Sequence, residues 1–322
     1  MKQFNIIGLM SGTSLDGLDV VYVNFKHDKF WKYEIINSKT YKYEKKWISF
    51  LKNISKQKIN SIIKIDNDYT KLLSEYILKF INEFSIKEID FVSSHGHTAL
   101  HQPSNSLTYQ IGNLPIFAKY INQKVVCDFR VQDLELGGQG APLVPVGEKY
   151  LFPEFDTLIN LGGFANITKK IKNNLIAYDI CPINIIFNHL SRIIKLEYDD
   201  KGDIASSGNI NKDLYNYLQR LDYYKLDPPK SLGIEWVNNY VYSILKNFNN
   251  ISIKDLMNTF SNHFAFQIAK NIGEQDQVLI TGGGAYNDYL IDRIKNLTNS
   301  KITIPDPKII EYKEALIFSF LG

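Results

Sequence analysis

The chain has 322 residues, 44% hydrophobic and 22% charged, which is enough for two globular domains and unlike a disordered or fibrous composition. Its 37 basic and 34 acidic residues leave a net charge of +3 and are intermixed, so nothing argues for a nucleic-acid or membrane surface. Two cysteines, Cys127 and Cys181, cannot build a disulfide framework or a zinc cage, and the opening MKQFNIIGLMSGTS patterns as neither a signal peptide nor a membrane span; this points to the cytoplasm.

Residues 4–10 are apolar and β-prone, 11–17 are turn residues, and 20–25 alternate as a returning strand, which predicts a β-hairpin. Leu72, Leu73, Tyr76, Ile77, Phe80, Ile81 and Phe84 form one apolar helical face, followed by strands at 89–93 and 125–129. The Pro-containing stretch 141–155 separates two halves. A second hairpin of the same shape starts at Asp156, with Gly162 and Gly163 in its turn. The stripes Trp236, Val237, Tyr240, Val241, Ile244, Leu245 and Leu256, Phe260, Phe264, Ile268, Ile272 predict two helices. A buried strand at 277–281 then runs into Gly282, Gly283 and Gly284, and a helix follows at 287–295. Repeated hairpin starts and alternating elements predict a duplicated α/β protein with mixed sheets, split at 1–140 and 141–310, with the C-terminal helix 311–322 joined to the first domain.

Several segments can carry chemistry. In GLMSGTSLDGLD, residues 8–19, glycines let the backbone approach a ligand, and N–H groups and hydroxyls can donate to phosphate oxygens. Asp16 and Asp19 can hold a magnesium ion, with the ligand set left open; the alternative is an ordinary hairpin loop. The second glycine turn would oppose the first across a cleft, and residues 282–284 open a helix in a way that suits a nucleotide or is a tight turn only. His95, His97 and His101 allow a modest zinc reading, but a polar substrate-facing loop at a strand end is preferred. Arg130 suits an acidic substrate group, or else pairs with Asp128 within the domain. Asp179 stands where a general base belongs, or caps the following helix; Cys181 is read as a small buried hydrophobe.

Taken together, GLMSGTSLDGLD, SSHGHTALHQP, TYQIGN, CDFRVQDLELGGQGAPLVP, NLGGFANIT, YDICPIN, PKSLG, TGGGAYNDYL and KEALIFSFLG resemble the anhydro-N-acetylmuramic acid kinases over nearly the whole chain. The resemblance implies two duplicated domains of the sugar kinase/heat-shock cognate/actin (ribonuclease H-like) type with a central cleft. It implies a phosphotransferase using ATP and Mg²⁺ that opens the 1,6-anhydro bridge of 1,6-anhydro-N-acetylmuramic acid. The same enzyme phosphorylates O6, giving N-acetylmuramic acid 6-phosphate in peptidoglycan recycling and amino-sugar catabolism.

By the same resemblance Asp179 is the general base and Glu314 lies near the reacting sugar. Gly12, Thr13, Ser14, Leu15, Asp16, Gly17, Leu18 and Asp19 form the ATP phosphate loop, joined at the nucleotide by Gly162, Gly163, Gly283 and Gly284. His95, His97 and Arg130 are assigned to the substrate. The chain departs from the family in reading Asp-Ile-Cys-Pro-Ile-Asn where many members have Asp-Thr-Gly-Pro-Gly-Asn, and in stopping at Gly322, where the family continues. Expected partners are the anhydro amino sugar and ATP, without nucleic acid or membrane, and a homodimer is left open. A kinase for another anhydrosugar and a non-catalytic nucleotide-binding scaffold are the alternatives; Asp179 and Glu314 argue against the scaffold.

Overall fold

The apolar runs and glycine turns resolve into two sheets of the same construction. The computed structural model describes residues 2–12, 15–172 and 174–322. The chain divides into two compact units, Met1–Phe152 with Tyr312–Gly322, and Pro153–Glu311.

The first unit contains β1 (Lys2–Met10), β2 (Gly17–His27), β3 (Trp31–Lys42), β4 (Phe91–Ser94), β5 (His97–Gln102), β6 (Leu107–Ile111) and β7 (Val125–Val126). Its main sheet has the order β3-β2-β1-β4-β7; β1 pairs antiparallel with β2 and parallel with β4. β1 reads as a continuous apolar run because both of its faces are covered. Ile7 and Leu9 pack with Tyr69, Leu73, Ile77 and Phe80 of the helix Ile59–Glu83. On the other face, a Cβ at Gly8 would fall 1.8 Å from Ser319 Oγ and 2.6 Å from the Ala315 carbonyl. Only glycine therefore lets the helix Pro307–Leu321 lie against this strand.

The second unit contains β8 (Thr157–Leu161), β9 (Phe164–Ile171), β10 (Asn174–Pro182), β11 (Gln277–Thr281) and β12 (Lys301–Thr303). The sheet order β10-β9-β8-β11-β12 repeats that of the first unit, with an antiparallel meander followed by parallel β8–β11 and β11–β12 pairs. Ile159, Leu161, Ile180, Phe260, Phe264 and Ile280 lie in its core, and the stripe from Leu256 to Ile268 belongs to the helix Ile253–Lys270. The stripe from Trp236 to Leu245 is less regular than its spacing predicts, because Val237–Tyr242 winds as a π-helix.

Two local expectations are corrected. The strand expected over 125–129 stops at Val126: Asp128 takes a left-handed conformation (φ 61°), and the chain turns into the helix Phe129–Glu135. Short Asp side chains tolerate that conformation. Residues 93–103 are not a loop, since β5 pairs with β6 as a separate hairpin.

Within the first unit, Lys313 Nζ lies 2.6 Å from Glu148 Oε1, with both side chains almost fully buried, and Glu148 Oε2 has no partner among the described residues. Breaking such a pair leaves a charge without compensation, whereas an apolar pair of similar volume does not. In urea unfolding, Lys313→Met should destabilise the protein by about 3–5 kcal/mol, and Lys313→Met/Glu148→Leu should recover most of that loss.

Candidate active site

The loop after β1 is tied inward by hydroxyl groups. Ser11 is buried; it accepts a hydrogen bond from Tyr43 Oη at 2.8 Å and lies 3.0 Å from His97 Nδ1, while Tyr43 Oη meets Tyr69 Oη at 2.6 Å. Burial pushes the His97 imidazole down to about 4, so it stays neutral. The Ser11 hydroxyl thus anchors the loop instead of turning toward a ligand. Gly12 is partly buried, and Leu15 is left-handed (φ 60°) and packs on the first core. Leu18 is itself a core residue, and Gly17 is explained by close approach of Thr40 and Tyr41 on β3. Asp19 Oδ1 accepts from Thr40 Oγ1 at 2.6 Å, and Asp16 is exposed. Thr13 and Ser14 lie outside the described residues.

Arg130, in the first turn of its helix, is clamped by neutral groups. Its Nε donates to His95 Nε2 at 2.8 Å and its Nη1 to the Gly140 carbonyl at 2.7 Å. The Arg130–Asp128 pairing weighed from sequence does not form. His95 Nδ1 lies 2.9 Å from the Gly96 carbonyl, so both ring nitrogens are engaged. Burial and then the Arg130 charge lower His95 to about 3, which keeps Nε2 an acceptor. His101 Nδ1 instead meets Thr108 Oγ1 at 3.1 Å. The three histidines form no metal site: no group of three or more ligating side chains occurs among the described residues. Glu314 is partly buried on the helix Pro307–Leu321. Burial raises its carboxyl pKa, Lys313 and Arg130 oppose the rise, and Glu148 adds to it.

The second unit gathers its own set. The N–H groups of Ile183 and Ile185 donate to the Gly163 carbonyl and that of Asn184 to the Gly162 carbonyl, while Asn184 Nδ2 holds the Leu161 carbonyl at 3.0 Å. The glycine turn of the β8–β9 hairpin is thereby docked on the start of the helix Asn184–Ile193. Gly282 (φ 80°) and Gly284 pack directly on Asn160 and Leu161. Gly163 and Gly283 are different. A Cβ at Gly163 would meet nothing within 4 Å, and at Gly283 only Asn184 Nδ2 at 3.9 Å. At these two positions bare backbone faces open space, as close approach of a ligand requires.

Asp179 lies on β10 at a register shift between Asp179 and Cys181. Its Oδ2 accepts from Leu232 N at 2.9 Å and Ser231 Oγ at 3.1 Å, and Oδ1 has no partner among the described residues. The helix-cap reading is excluded, because the following helix has Ile183 at its N-cap position and no side-chain cap bond. Burial raises the Asp179 pKa, and the Leu232 and Ser231 hydrogen bonds oppose it. Sequence reasoning missed Ser231 and Leu232 as its partners; they lie 52 and 53 residues away, so no local pattern links them.

The anhydro-N-acetylmuramic acid kinase family model matches residues 4–322. An anhydro-N-acetylmuramic acid kinase of Bacillus cereus (strain ATCC 10987 / NRS 248) is 34% identical, with 98% of this chain and 91% of the relative covered. One of Bacillus thuringiensis (strain Al Hakam) is 32% identical over 100% and 92%. Among solved structures, component A of the Acidaminococcus fermentans (R)-2-hydroxyglutaryl-CoA dehydratase superposes with a TM-score of 0.52 at 13% identity, covering 99% of this chain and 97% of that one. The activator of the Clostridium difficile 2-hydroxyisocaproyl-CoA dehydratase, solved with bound ADPNP, has a TM-score of 0.50 at 17% identity, covering 98% and 94%. These two likenesses concern the fold alone, a duplicated α/β architecture. With the whole-chain match and the relatives above 30% identity, the chain belongs to the anhydro-N-acetylmuramic acid kinase family and is an enzyme of the kinase class.

Proposed function

We propose that the protein uses ATP to convert 1,6-anhydro-N-acetylmuramic acid into N-acetylmuramic acid 6-phosphate, hydrolysing the bridge and phosphorylating O6 in peptidoglycan recycling and amino-sugar catabolism. The observation that carries this reading is Asp179, a carboxylate with one oxygen held and the other unpartnered among the described residues. A sugar with an intact 1,6-bridge has no O6 hydroxyl to phosphorylate, so the reaction needs a base aimed at water. Asp179 Oδ1 takes the water proton as the oxygen attacks C1. The C1–O6 bond breaks with its electron pair on O6, which attacks the γ-phosphoryl group in line and displaces ADP.

ATP fits the second unit, where Gly163 and Gly283 expose backbone that no neighbouring side chain requires. For Mg²⁺ we assign Asp16 and Asp19 of the first hairpin. Their hard oxygens suit an ion whose shell is mostly phosphate and water, and the described residues hold no richer ligand cluster. When bound, the ion would offset the phosphate charge. We assign Arg130 to the lactyl carboxylate, with His95 orienting it, His97 holding the loop at Ser11, and Glu314 beside the sugar. No helix among the described residues is long and apolar enough to cross a membrane, and we place the reaction in the cytoplasm.

Incubation with 1,6-anhydro-N-acetylmuramic acid and ATP in ¹⁸O-water should put the label on C1 of a sugar 6-phosphate. Label confined to inorganic phosphate, with the sugar unchanged, would refute the coupled reaction. Asp179→Asn should lower turnover about 10²–10⁴-fold with ATP affinity retained. A variant with most of its turnover would remove Asp179 from the base role. Gly283→Val should raise the Kd for ATP about tenfold or more, a loss of ~1.4 kcal/mol or more, in a protein that still folds. Unchanged affinity in titration calorimetry would move the nucleotide away from this turn.

A further inference from the structure

We propose that Ser231 is a positioning residue for Asp179, and that the segment 223–232 selects which carboxylate oxygen meets the reacting water. This rests on the reading of Asp179 as the base. Three of the four polar atoms of Asp179 are bound by this one segment. Its N–H donates to the Lys230 carbonyl at 3.1 Å, its carbonyl accepts from Tyr223 Oη at 2.6 Å, and its Oδ2 takes both Leu232 N and Ser231 Oγ. Only Oδ1 remains outside this clamp. A β-bulge follows directly: Asp179 lies opposite Asn166 and Cys181 opposite Ala165, so Ile180 is the extra residue, and bulges are a common way to re-aim neighbouring side chains.

The clamp is braced from within. Lys230 Nζ donates to the carbonyls of Leu226 at 2.9 Å and Tyr223 at 3.3 Å, and lies 4.9 Å from the Tyr223 ring centroid. Tyr223 packs in turn against Trp236 and Tyr224. Tyr223 and Cys181 feel the Asp179 charge and Lys230 meets its backbone; burial raises the pKa of Tyr223 and Cys181 and lowers that of Lys230. Ser231 is the exposed member of the clamp, so it can be changed without opening the core. A hydroxyl donating to a carboxylate favours the ionised form. Removing it therefore shifts the Asp179 pKa upward, and the base is lost at a higher pH than in the parent enzyme.

Ser231→Ala and Ser231→Thr test this on the full chain, with thermal unfolding as the folding control. With 1,6-anhydro-N-acetylmuramic acid and ATP, Ser231→Ala should lower kcat about three- to tenfold. The KM for ATP should hold, the acid limb of kcat/KM should move to higher pH, and Ser231→Thr should restore both. The carboxyl of Asp179, titrated by ¹³C NMR, should show the same upward shift. That titration reads the contact whether or not Asp179 is the base. An unmoved carboxyl pKa, or an acid limb that stays in place while kcat falls, would overturn the proposal. An Asp179→Asn variant with most of its turnover would instead overturn the reading on which it rests.

Discussion

In the second unit the arrangement of the site depends on one close backbone approach at the ends of the central strands β8 and β11. Gly282 adopts φ 80°, and a Cβ there would fall 2.4 Å from Asn160 Oδ1 and 2.9 Å from the Leu161 backbone; at Gly284 it would fall 2.7 Å from Leu161 Cβ. Because both lack side chains, the turn Gly283–Tyr286 settles directly on the β8–β9 hairpin. That hairpin presents the Gly162 and Gly163 carbonyls to the N–H groups of residues 183–185, which sets the start of the next helix. The end of β10, and with it Asp179, is thereby held in register with the glycine turns. A side chain at either packed glycine would shift both the Gly283–Tyr286 turn and the carboxylate.

This framework also accounts for the unusual Asp-Ile-Cys-Pro-Ile-Asn segment. Ile180, Cys181 and Ile183 are all buried in the second core, and the φ of Ile183, −127°, lies outside the left-handed range that favours glycine. The bulkier residues replace backbone freedom with core packing, while Asp179 and Asn184 retain their polar contacts. These apolar side chains lie on the inner side of the strand, and Oδ1 of the carboxylate stays outside the clamp.

Electrostatics in the first unit follow a different rule. Two buried histidines are kept neutral so that they can serve the hydrogen-bond network: His95 accepts from Arg130, and His97 meets Ser11. A charged imidazole at His95 would face the guanidinium and lose its acceptor nitrogen. The buried Lys313–Glu148 pair sits one residue from Glu314 and helps set its charge. Glu314 and one member of the buried ion pair thus share one helix, and the helix in turn relies on Gly8 to reach the sheet.

The two hairpins, the helical stripes and the glycine clusters were legible in the chain itself, because period-2 and period-3.6 patterning and turn residues act over a few neighbours. The duplicated sheet order was foreshadowed by the repeated hairpin, and the position of Asp179 near a strand end by the apolar run before it. Other features came only from the fold. The turn at Asp128 carried Arg130 from an expected strand end into a helix, where His95 and Gly140 could reach it. Ser11, expected to face phosphate, was drawn inward by Tyr43, 32 residues away. Leu18, assigned to a ligand loop, was claimed by the core. Ser231 and Leu232 reached Asp179 across 52 and 53 residues. Hydrogen-bond partners over such separations are decided by which elements pack together, and that choice is made by the burial of whole faces, not by the local residue pattern.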